Sequence, residues 1–252
     1  MHQSPMLDFK FISLMSGSKG NASIIQTKES TILIDCGGPK RYLMEALKNN
    51  GISIDSIDAC FITHTHSDHI QQIKTFAHKP IYSHQPIQGV NTTQISLNDR
   101  IDINECVITP FYLSHDVPNV GYIIHTQLCK IVCVTDTGYL KNDDIALLHN
   151  AHFYYFECNY EPALLMTSSR PHSVKMRTLS DSGHLSNDDS ARIMKALIGP
   201  QTQEVMLAHI SEDANTLSLA LKAHHEAWFE DYPHIKLQCA KQFEVTLGGK
   251  YD

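Results

Sequence analysis

The sequence predicts a mixed α/β (α+β) protein, because short apolar runs of strand type alternate with segments of helical period along most of its length. The chain has 252 residues, of which 42% are apolar and 19% charged, so it is long enough to bury one sizeable core. Neither an internal repeat nor a low-complexity tract divides the sequence. We therefore expect one domain spanning residues 1–252.

The first elements are predicted to form a β meander. Strand-like runs at 9–14 and 22–26 flank a turn at 17–20, and a third run follows at 31–35. Apolar residues then recur at helical spacing from Tyr42 up to Gly51. Further strands are expected at 59–62, 107–113, 120–126, 131–135, 153–157, 205–208, 236–240 and 243–247, and helices at 139–148, 187–198 and 214–229.

One long irregular stretch interrupts this alternation at residues 165–182, and its length makes it a candidate binding loop. Arg170, His172, Lys175 and Arg177 lie in it without an intervening acid. We assign Arg170, Lys175 and Arg177 as candidate phosphate-contacting residues of a substrate site. A solvated surface loop is an equally good interpretation of the same charges.

The bulk composition limits the classes of function. No apolar run approaches the roughly 18 residues of a transmembrane helix, and no basic segment precedes an apolar one near the start, so we expect a cytoplasmic protein without a membrane partner. Cys60, Cys129 and Cys133 lie in apolar runs, which favours reduced thiols without a disulfide partner. The net charge of −7 argues weakly against general attraction to nucleic acid, because bound dications can reverse the sign locally. The oligomeric state stays open.

A dense group of potential metal ligands, Thr-His-Thr-His-Ser-Asp-His, follows directly after the run 59–62. Side chains two apart on an extended chain point to the same side, so His64 and His66 can bind one cation where the strand ends. Asp68 and His69 come where a helical period begins, and they face a direction in which a second cation can bind. A chance cluster among sixteen histidines is disfavoured because this one ends a strand in the register that coordination requires.

Two cations need more donors than this cluster supplies. The ends of three later predicted strands offer one candidate each, namely His115, Asp136 and His209. Each is a weak signal alone, since a single His or Asp after a strand is more often a cap or turn residue. Two dications about 3.5 to 4 Å apart could share one hydroxide and hold the attacking and leaving oxygens of a displaced phosphate.

The order His-x-His-x-Asp-His, followed by isolated His, Asp and His, resembles the metallo-β-lactamase superfamily over nearly the whole chain. This resemblance implies a four-layer αββα metallo-β-lactamase sandwich with a dinuclear centre. Aspartate at both the fourth cluster position and the later isolated position looks like the hydrolytic branch. By position, it implies that one metal is bound by His64, His66 and His115, that the other is bound by Asp68, His69 and His209, and that Asp136 bridges them.

A closer resemblance is to the YycJ/WalJ group of DNA exonucleases with this fold, which implies 5'-to-3' exonucleolysis of DNA and a connection with repair. One departure is that Tyr160 and Glu161 stand where the pattern Glu-x-Asn-His-Asp has His and Asp, which leaves the role of that histidine in doubt here. The motifs that carry this resemblance are Ser-Gly-Ser-Lys-Gly-Asn at 16–21, Ser-His-Asp at 114–116, Thr-Asp-Thr-Gly-Tyr at 135–139, Glu-Cys-Asn at 157–159, Gly-His-Leu-Ser-Asn at 183–187 and Ala-His-Ile-Ser at 208–211.

Catalytic roles are expected for Asp68 and His184. His184 resembles the histidine that in ribonuclease Z-like relatives assists the scissile phosphate or the leaving group, and the alternative is a helix-entry residue bonded to backbone. Glu157 could orient His184, or it could be a plain surface glutamate. Asp35 is expected to anchor the histidine loop by hydrogen bonds.

The turn that ends at Asn21 could present backbone N–H groups to a phosphate, or it could be an ordinary hairpin turn. We assign Asn21 and Asn159, which lie in the quoted motifs, as candidate substrate-binding residues.

These inferences predict a metal-dependent hydrolase that cleaves phosphodiesters of a DNA substrate with a metal-bridging hydroxide as the nucleophile. The cofactors are two divalent ions: imidazole-rich coordination suits Zn2+, whereas the family resemblance favours Mn2+ for turnover. Alternatives are a phosphodiesterase acting on RNA or a small cyclic phosphodiester, a glyoxalase-type thioester hydrolase, and a noncatalytic scaffold that binds nucleic acid or protein.

Overall fold

Strand-forming runs rich in Ile, Val and Phe build two seven-stranded sheets in the computed structural model, which describes residues 7–250. The strands are β1 (Lys10–Met15), β2 (Ala22–Gln26), β3 (Thr31–Ile34), β4 (Ala59–Ile62), β5 (Ile81–Ser83), β6 (Thr93–Gln94), β7 (Ile101–Ile103), β8 (Cys106–Leu113), β9 (Asn119–His125), β10 (Lys130–Val134), β11 (Phe153–Glu157), β12 (Glu204–Ala208), β13 (Lys236–Cys239) and β14 (Thr246–Gly249). The helices are α1 (Lys40–Asn49), α2 (Ser67–Ile70), α3 (Asn142–Leu148), α4 (Pro162–Thr167), α5 (His172–Thr178), α6 (Asn187–Leu197) and α7 (Leu217–His224).

Both sheets are mixed. The first has the order β14-β1-β2-β3-β4-β5-β6 and the second β13-β12-β11-β10-β9-β8-β7. Strands β3 to β6 are parallel in the first sheet, and β10 to β13 are parallel in the second. Because β8 and β10 both run antiparallel to β9, they point in one direction and end at the same edge. Strands β1 and β3 both run antiparallel to β2, so they too point in one direction, and their C-terminal ends lie at the same edge of the first sheet.

Three separate apolar cores define four layers. One core lies between the sheets, where Phe11 stacks on Phe153 with ring centroids 4.8 Å apart. A second core packs α1 against the outer face of the first sheet through Leu43 and Leu47. A third packs the helices α3, α6 and α7 against the outer face of the second sheet. Helix, sheet, sheet, helix is the predicted αββα sandwich, so this prediction is confirmed.

Several predicted boundaries are wrong. The helix expected at 139–148 begins at Asn142, because Asp144 accepts the N–H of Lys141 and closes the first turn. The helix expected at 214–229 begins at Leu217, where the Thr216 side chain accepts the N–H of Leu219, and it changes to a π-helical turn at His225–Phe229. The last strand lies at Thr246–Gly249 rather than 243–247.

The stretch 165–182, expected to be irregular, contains the end of α4 and all of α5. A proline begins each of the two short helices: it is the first residue of α4 and the N-cap residue of α5. Its ring fixes the backbone angle φ near the value that the start of a helix requires. The pattern was missed because each helix is only six or seven residues long. Strands β5, β6 and β7 were also not predicted, since two or three residues are too short to show alternation.

All seven cysteines lie within the described residues, where each is buried and is a free thiol. Burial raises the pKa of Cys60 to about 12, which keeps this thiol protonated and inert at neutral pH. Within residues 7–250, the structure contains no helix whose length and apolarity would let it cross a bilayer.

Candidate metal centre

The histidine cluster starts where β4 ends and is held by Asp35, which follows β3. Asp35 Oδ1 accepts the N–H of Thr63 at 2.9 Å, and Oδ2 accepts the Thr63 hydroxyl at 2.9 Å. The same Oδ2 lies 2.7 Å from Nδ1 of His69, which leaves His69 Nε2 directed elsewhere. The prediction that Asp35 anchors this loop is confirmed.

Close backbone approach fixes where α2 lies. A Cβ atom on Gly37 would overlap the backbone carbonyl of Asp68, so only glycine lets the end of β3 pass this close to the helix. The Asn21 N–H donates to the same Asp68 carbonyl at 2.8 Å. Asp68 and His69 therefore sit in a short helix clamped between two loops, at the helix start that was predicted.

The three isolated candidates project from the same edge of the second sheet. His115 follows β8, Asp136 follows β10 and His209 follows β12. Asp136 and His209 adopt left-handed backbone conformations, with φ of 60° and 53°, as does Asp35 with φ of 57°. Non-glycine residues are uncommon in this region, and such conformations persist where the surrounding structure imposes them, often at functional sites.

The predicted donors converge. Ligand atoms of His64, His66 and His115 all lie within 4.8 Å of one another, and so do those of Asp68, His69 and His209. Asp136 belongs to two further groups of this kind: one with His64 and His69, and one with Glu157, His184 and His209. Asp136 therefore lies between the two triads.

Several of the converging donor atoms have no hydrogen-bond partner. Among the described residues, the buried atoms His115 Nε2, His209 Nε2 and Asp136 Oδ2 have no hydrogen-bond partner. Carboxylate oxygens are nearby, at 3.2 Å from His115 Nε2 and at 3.4 Å from His209 Nε2, but neither pair forms a hydrogen bond. Within the set, His64 Nε2 lies 3.0 Å from His66 Nδ1, and His69 Nε2 lies 3.1 Å from Asp136 Oδ2. Buried polar atoms without partners are costly, and nitrogen and oxygen atoms that converge this closely can be satisfied together by a shared cation. Imidazole and carboxylate donors suit Zn2+ or Mn2+.

The surroundings of the donor imidazoles, through their effect on the pKa values, support the same conclusion. Burial lowers the pKa of His64 and of His115, which keeps both imidazoles neutral, as metal ligands must be. Burial alone would also lower the pKa of His209, but Asp136, Asp68 and Glu157 outweigh it and raise that pKa to about 10. Carboxylates that raise the pKa of a buried imidazole create a negative electrostatic potential, and the same potential favours a bound metal cation.

Glu157 ends β11 behind the donors and is fully buried. Its Oε1 lies 2.7 Å from His184 Nδ1 and 3.2 Å from His209 Nδ1, and its Oε2 accepts the N–H of Thr137 at 2.8 Å. Burial opposes ionisation of Glu157, but His184 and His209 hold its pKa below the usual value. The alternative of a surface glutamate is wrong, and Glu157 contacts His184 as predicted.

The two asparagines lie behind the metal donors rather than on an open surface. Asn21 Nδ2 is 2.9 Å from His69 Nε2 and donates to Asp68 Oδ2 at 3.2 Å. Asn159 Nδ2 donates to the His209 carbonyl at 2.7 Å and is 3.0 Å from His209 Nδ1. Both side chains are only 4% exposed, so in this structure they orient donors.

A cavity of about 300 Å3 opens over the donors. Arg170 and Arg177 line it, and Arg177 Nη1 donates to Asp116 Oδ2 at 2.9 Å. Lys175 does not line it, because its ammonium group donates to the carbonyls of Met166 and Ser168 at 2.8 and 2.7 Å and thereby caps the end of α4.

Sequence reasoning missed Asp116. Its Oδ1 lies 3.3 Å from His66 Nε2 and 3.2 Å from His115 Nε2, so it joins the first triad to Arg177. Its place directly after His115 in the Ser-His-Asp motif was the available signal. Ser18 also lines the cavity and was not assigned a role from the sequence.

Known proteins resemble this chain in sequence and in fold. The beta-lactamase superfamily domain matches residues 30–210. Exodeoxyribonuclease YycJ of Bacillus anthracis is 31% identical over 225 residues, which cover 83% of this chain and 85% of that protein. Exodeoxyribonuclease WalJ of Streptococcus pneumoniae is 30% identical over 231 residues, covering 85% and 86%. The crystal structure of the metallo-beta-lactamase fold protein YhfI from Bacillus subtilis superimposes with a TM-score of 0.72 at 18% identity, covering 96% of this chain and all of that one.

Proposed function

This chain belongs to the beta-lactamase superfamily, in the group of the YycJ and WalJ exodeoxyribonucleases, and we propose that it is a dinuclear-metal phosphodiesterase that degrades DNA from the 5' end. The chain is a metal-dependent hydrolase. The observation that carries the proposal is the position of Asp136, whose carboxylate lies between two triads of donors. Its buried Oδ2 is 3.1 Å from His69 Nε2 and has no hydrogen-bond partner in residues 7–250.

The first ion would be held by His64, His66 and His115, and the second by Asp68, His69 and His209, with Asp136 shared. When bound, two divalent ions lower the pKa of water and neutralise phosphate charge. We propose Mn2+ or Zn2+. The first triad consists of three imidazoles, which suit Zn2+, whereas Asp68 and the shared Asp136 offer two carboxylates to the second ion, which also permits Mn2+.

The remaining residues bind the substrate and move protons. Arg177 and Arg170 reach the cavity as planar donors that match the geometry of a phosphodiester. Asp68 lies at the cavity surface, where its carboxylate can accept a hydrogen bond from the attacking water. Asn21 and Asn159 hold the donors in place from behind, so their effect on substrate is indirect.

We assign to His184 the protonation of the leaving oxygen. Its Nδ1 faces the buried carboxylate of Glu157, and the same ring lines the cavity. Because Nδ1 is taken by Glu157, Nε2 is the nitrogen that exchanges a proton with the substrate. An imidazolium beside an ionised buried carboxylate can donate that proton to the alkoxide as the P–O bond breaks.

DNA is proposed as the substrate because YycJ and WalJ, the relatives reported above at 31% and 30% identity, are exodeoxyribonucleases. RNA and small cyclic phosphodiesters are the rival substrates, since an open cavity of about 300 Å3 admits any phosphodiester. A noncatalytic scaffold is disfavoured, because scaffold members often lack ligands, whereas all seven predicted donors meet at one edge of the sandwich.

The test compares substrates and polarity in one experiment. Protein loaded with Mn2+ is incubated with duplex DNA carrying a label at the 3' end and either a phosphate or a hydroxyl at the 5' end, with single-stranded RNA, and with a chromogenic phosphodiester. We expect labelled DNA shortened stepwise from the 5' end. Turnover of the chromogenic compound alone would refute the exonuclease, and faster degradation of RNA would replace DNA as the substrate.

A further inference from the structure

A second cavity, of about 480 Å3, lies beside the metal cavity between the segment 210–217 and the turn 240–244. Ile210, Leu217 and Ala240 form its apolar wall, and Phe243 stands at its rim with 41% of its surface exposed. This volume is in the range of small-molecule sites, which combine apolar walls with a few polar groups. None of the residues proposed above to bind metal, phosphate or proton lines this second cavity.

The two cavities share a narrow ridge. Ser211 lines the second cavity, and its hydroxyl accepts Nη2 of Arg170, which lines the metal cavity, at 3.1 Å. Ser211 is two residues beyond His209, so its Cα lies within about 7 Å of the Cα of that metal donor. One nucleotide is long enough to cross such a ridge.

The other part of the ridge is an exposed ion pair. Lys19 Nζ lies 2.6 Å from Glu212 Oε2, with side chains 61% and 52% exposed. Such pairs contribute little stability and open readily, so Lys19 is available to exchange this carboxylate for a phosphate. Lys19 follows Ser18 of the metal cavity, and Glu212 belongs to the wall of the second.

Phe243 is held in a fixed orientation at the rim. Its ring packs edge-on against Tyr42, with centroids 5.3 Å apart at 64°. The preceding Gln242 accepts the Lys19 N–H at 2.8 Å and donates to the Gly20 carbonyl at 3.0 Å, which ties the turn to the loop beside the metals. An exposed aromatic ring on a rigid turn next to a phosphate site is suited to stack a base of any sequence.

We propose that this second cavity binds the nucleobase of the 5'-terminal nucleotide, stacked on Phe243, while the phosphodiester that joins this nucleotide to the next lies over the metal donors. This inference rests on the proposed function and specifies where the released mononucleotide is held. Recognition by stacking is independent of base identity, as an exonuclease requires. The second cavity thus aligns the chain end so that this phosphodiester lies in the metal cavity, which His184 also lines.

The test measures binding of a product and of its base-free analogue. Calorimetric titration of the Mn2+-loaded protein with deoxyadenosine 5'-monophosphate and with 2-deoxyribose 5-phosphate should show tighter binding of the nucleotide by about 5- to 150-fold, the contribution of one stacked base. Phe243→Ala should reduce this ratio to near one, whereas Phe243→Tyr should preserve it. Leu128→Ala, at a side chain 59% exposed in a different turn, is the matched control and should keep the wild-type ratio.

Equal affinity of the wild-type protein for both ligands would overturn the proposal, and so would an unchanged ratio in Phe243→Ala. Thermal melting distinguishes a role of Phe243 in ligand binding from a role in folding. If the ring serves only the ligand, Phe243→Ala should have the same Tm as the wild type. Failure of the proposed function is distinguishable: absence of DNA cleavage together with Phe243-dependent nucleotide binding would keep the base site and reject the exonuclease. As a second readout, an oligonucleotide with an abasic 5' end should show a raised KM on the wild type and no further rise on Phe243→Ala.

Discussion

Glu157 Oε1 lies 2.7 Å from Nδ1 of His184 and 3.2 Å from Nδ1 of His209, so one buried carboxylate orients both a proposed acid and a proposed metal ligand. Each imidazole is left with Nε2 facing the cavity side, because Nδ1 is occupied. If His184 is the acid and His209 a metal ligand, as proposed, this shared partner couples proton transfer to metal binding.

Substitution of His184 by alanine should lower kcat by about two to four orders of magnitude, because a positioned acid contributes that much. Metal content should stay at the wild-type value, since His184 is not in either proposed triad. Elemental analysis and DNA cleavage measured on the same sample check both statements. Loss of metal from this variant would reassign His184 as a ligand.

Substitution of His66 by alanine should abolish cleavage with a modest effect on folding. The His66 side chain is 34% exposed, so little packing is lost, whereas the first triad loses one of its three nitrogen donors. Metal stoichiometry, cleavage and thermal melting are the measurements. Unimpaired cleavage with both metals present contradicts the assignment.

Replacement of Asp35 by alanine should lower the free energy of unfolding by about 3 kcal/mol or more, because buried donors of Thr63 and His69 lose their acceptor and alanine is strained at this positive φ. Chemical denaturation measures it. Asp55→Ala is the control: that carboxylate is 95% exposed, and the variant should unfold like the wild type. Equal stability of the two variants would contradict the anchoring role.

Acid stability should depend on His224. Burial lowers its pKa from 6.5 to about 3, and its Nδ1 accepts the Trp228 indole N–H, so the folded protein holds it neutral. Below pH 6.5 the unfolded chain binds a proton that the folded one does not, so this contribution is intact above pH 6.5 and is lost as pH falls toward about 3. His224→Gln should flatten the pH dependence of the unfolding free energy in this window by up to about 1.4 kcal/mol per pH unit. Parallel curves for the two proteins would contradict this prediction.

The two cations of α5 should differ in their effect on DNA binding. Arg177→Ala should reduce the slope of log affinity against log salt by about one, the effect of one lost phosphate contact. Lys175→Ala should leave the slope unchanged, because that ammonium group caps α4. Fluorescence anisotropy of a labelled 5'-phosphorylated duplex across salt concentrations measures both. The prediction fails if Lys175→Ala lowers the slope as much as Arg177→Ala does.

Much of the centre could be predicted because its donors follow a local rule. His64 and His66 are two apart at a strand end, and His115, Asp136 and His209 each come within two residues of the end of an apolar run. These positions made them candidates, and the resemblance to the metallo-β-lactamase superfamily selected them as a set. The double contact of Asp116 could not be predicted in this way. It depends on where α5 brings Arg177, and that helix was too short to leave a periodic signal.

The amino-acid sequence by itself determined the order of the longer strands and helices, the candidate donors and their place at strand ends, since period and turn chemistry are local properties of the chain. Tertiary structure alone decided that Glu157 serves two imidazoles, that Lys175 is used within its own loop, and that Phe243 faces a cavity beside the donors. These relations join residues far apart in the chain, and they arise only when two twisted sheets pack together and bring the ends of their strands to a common edge.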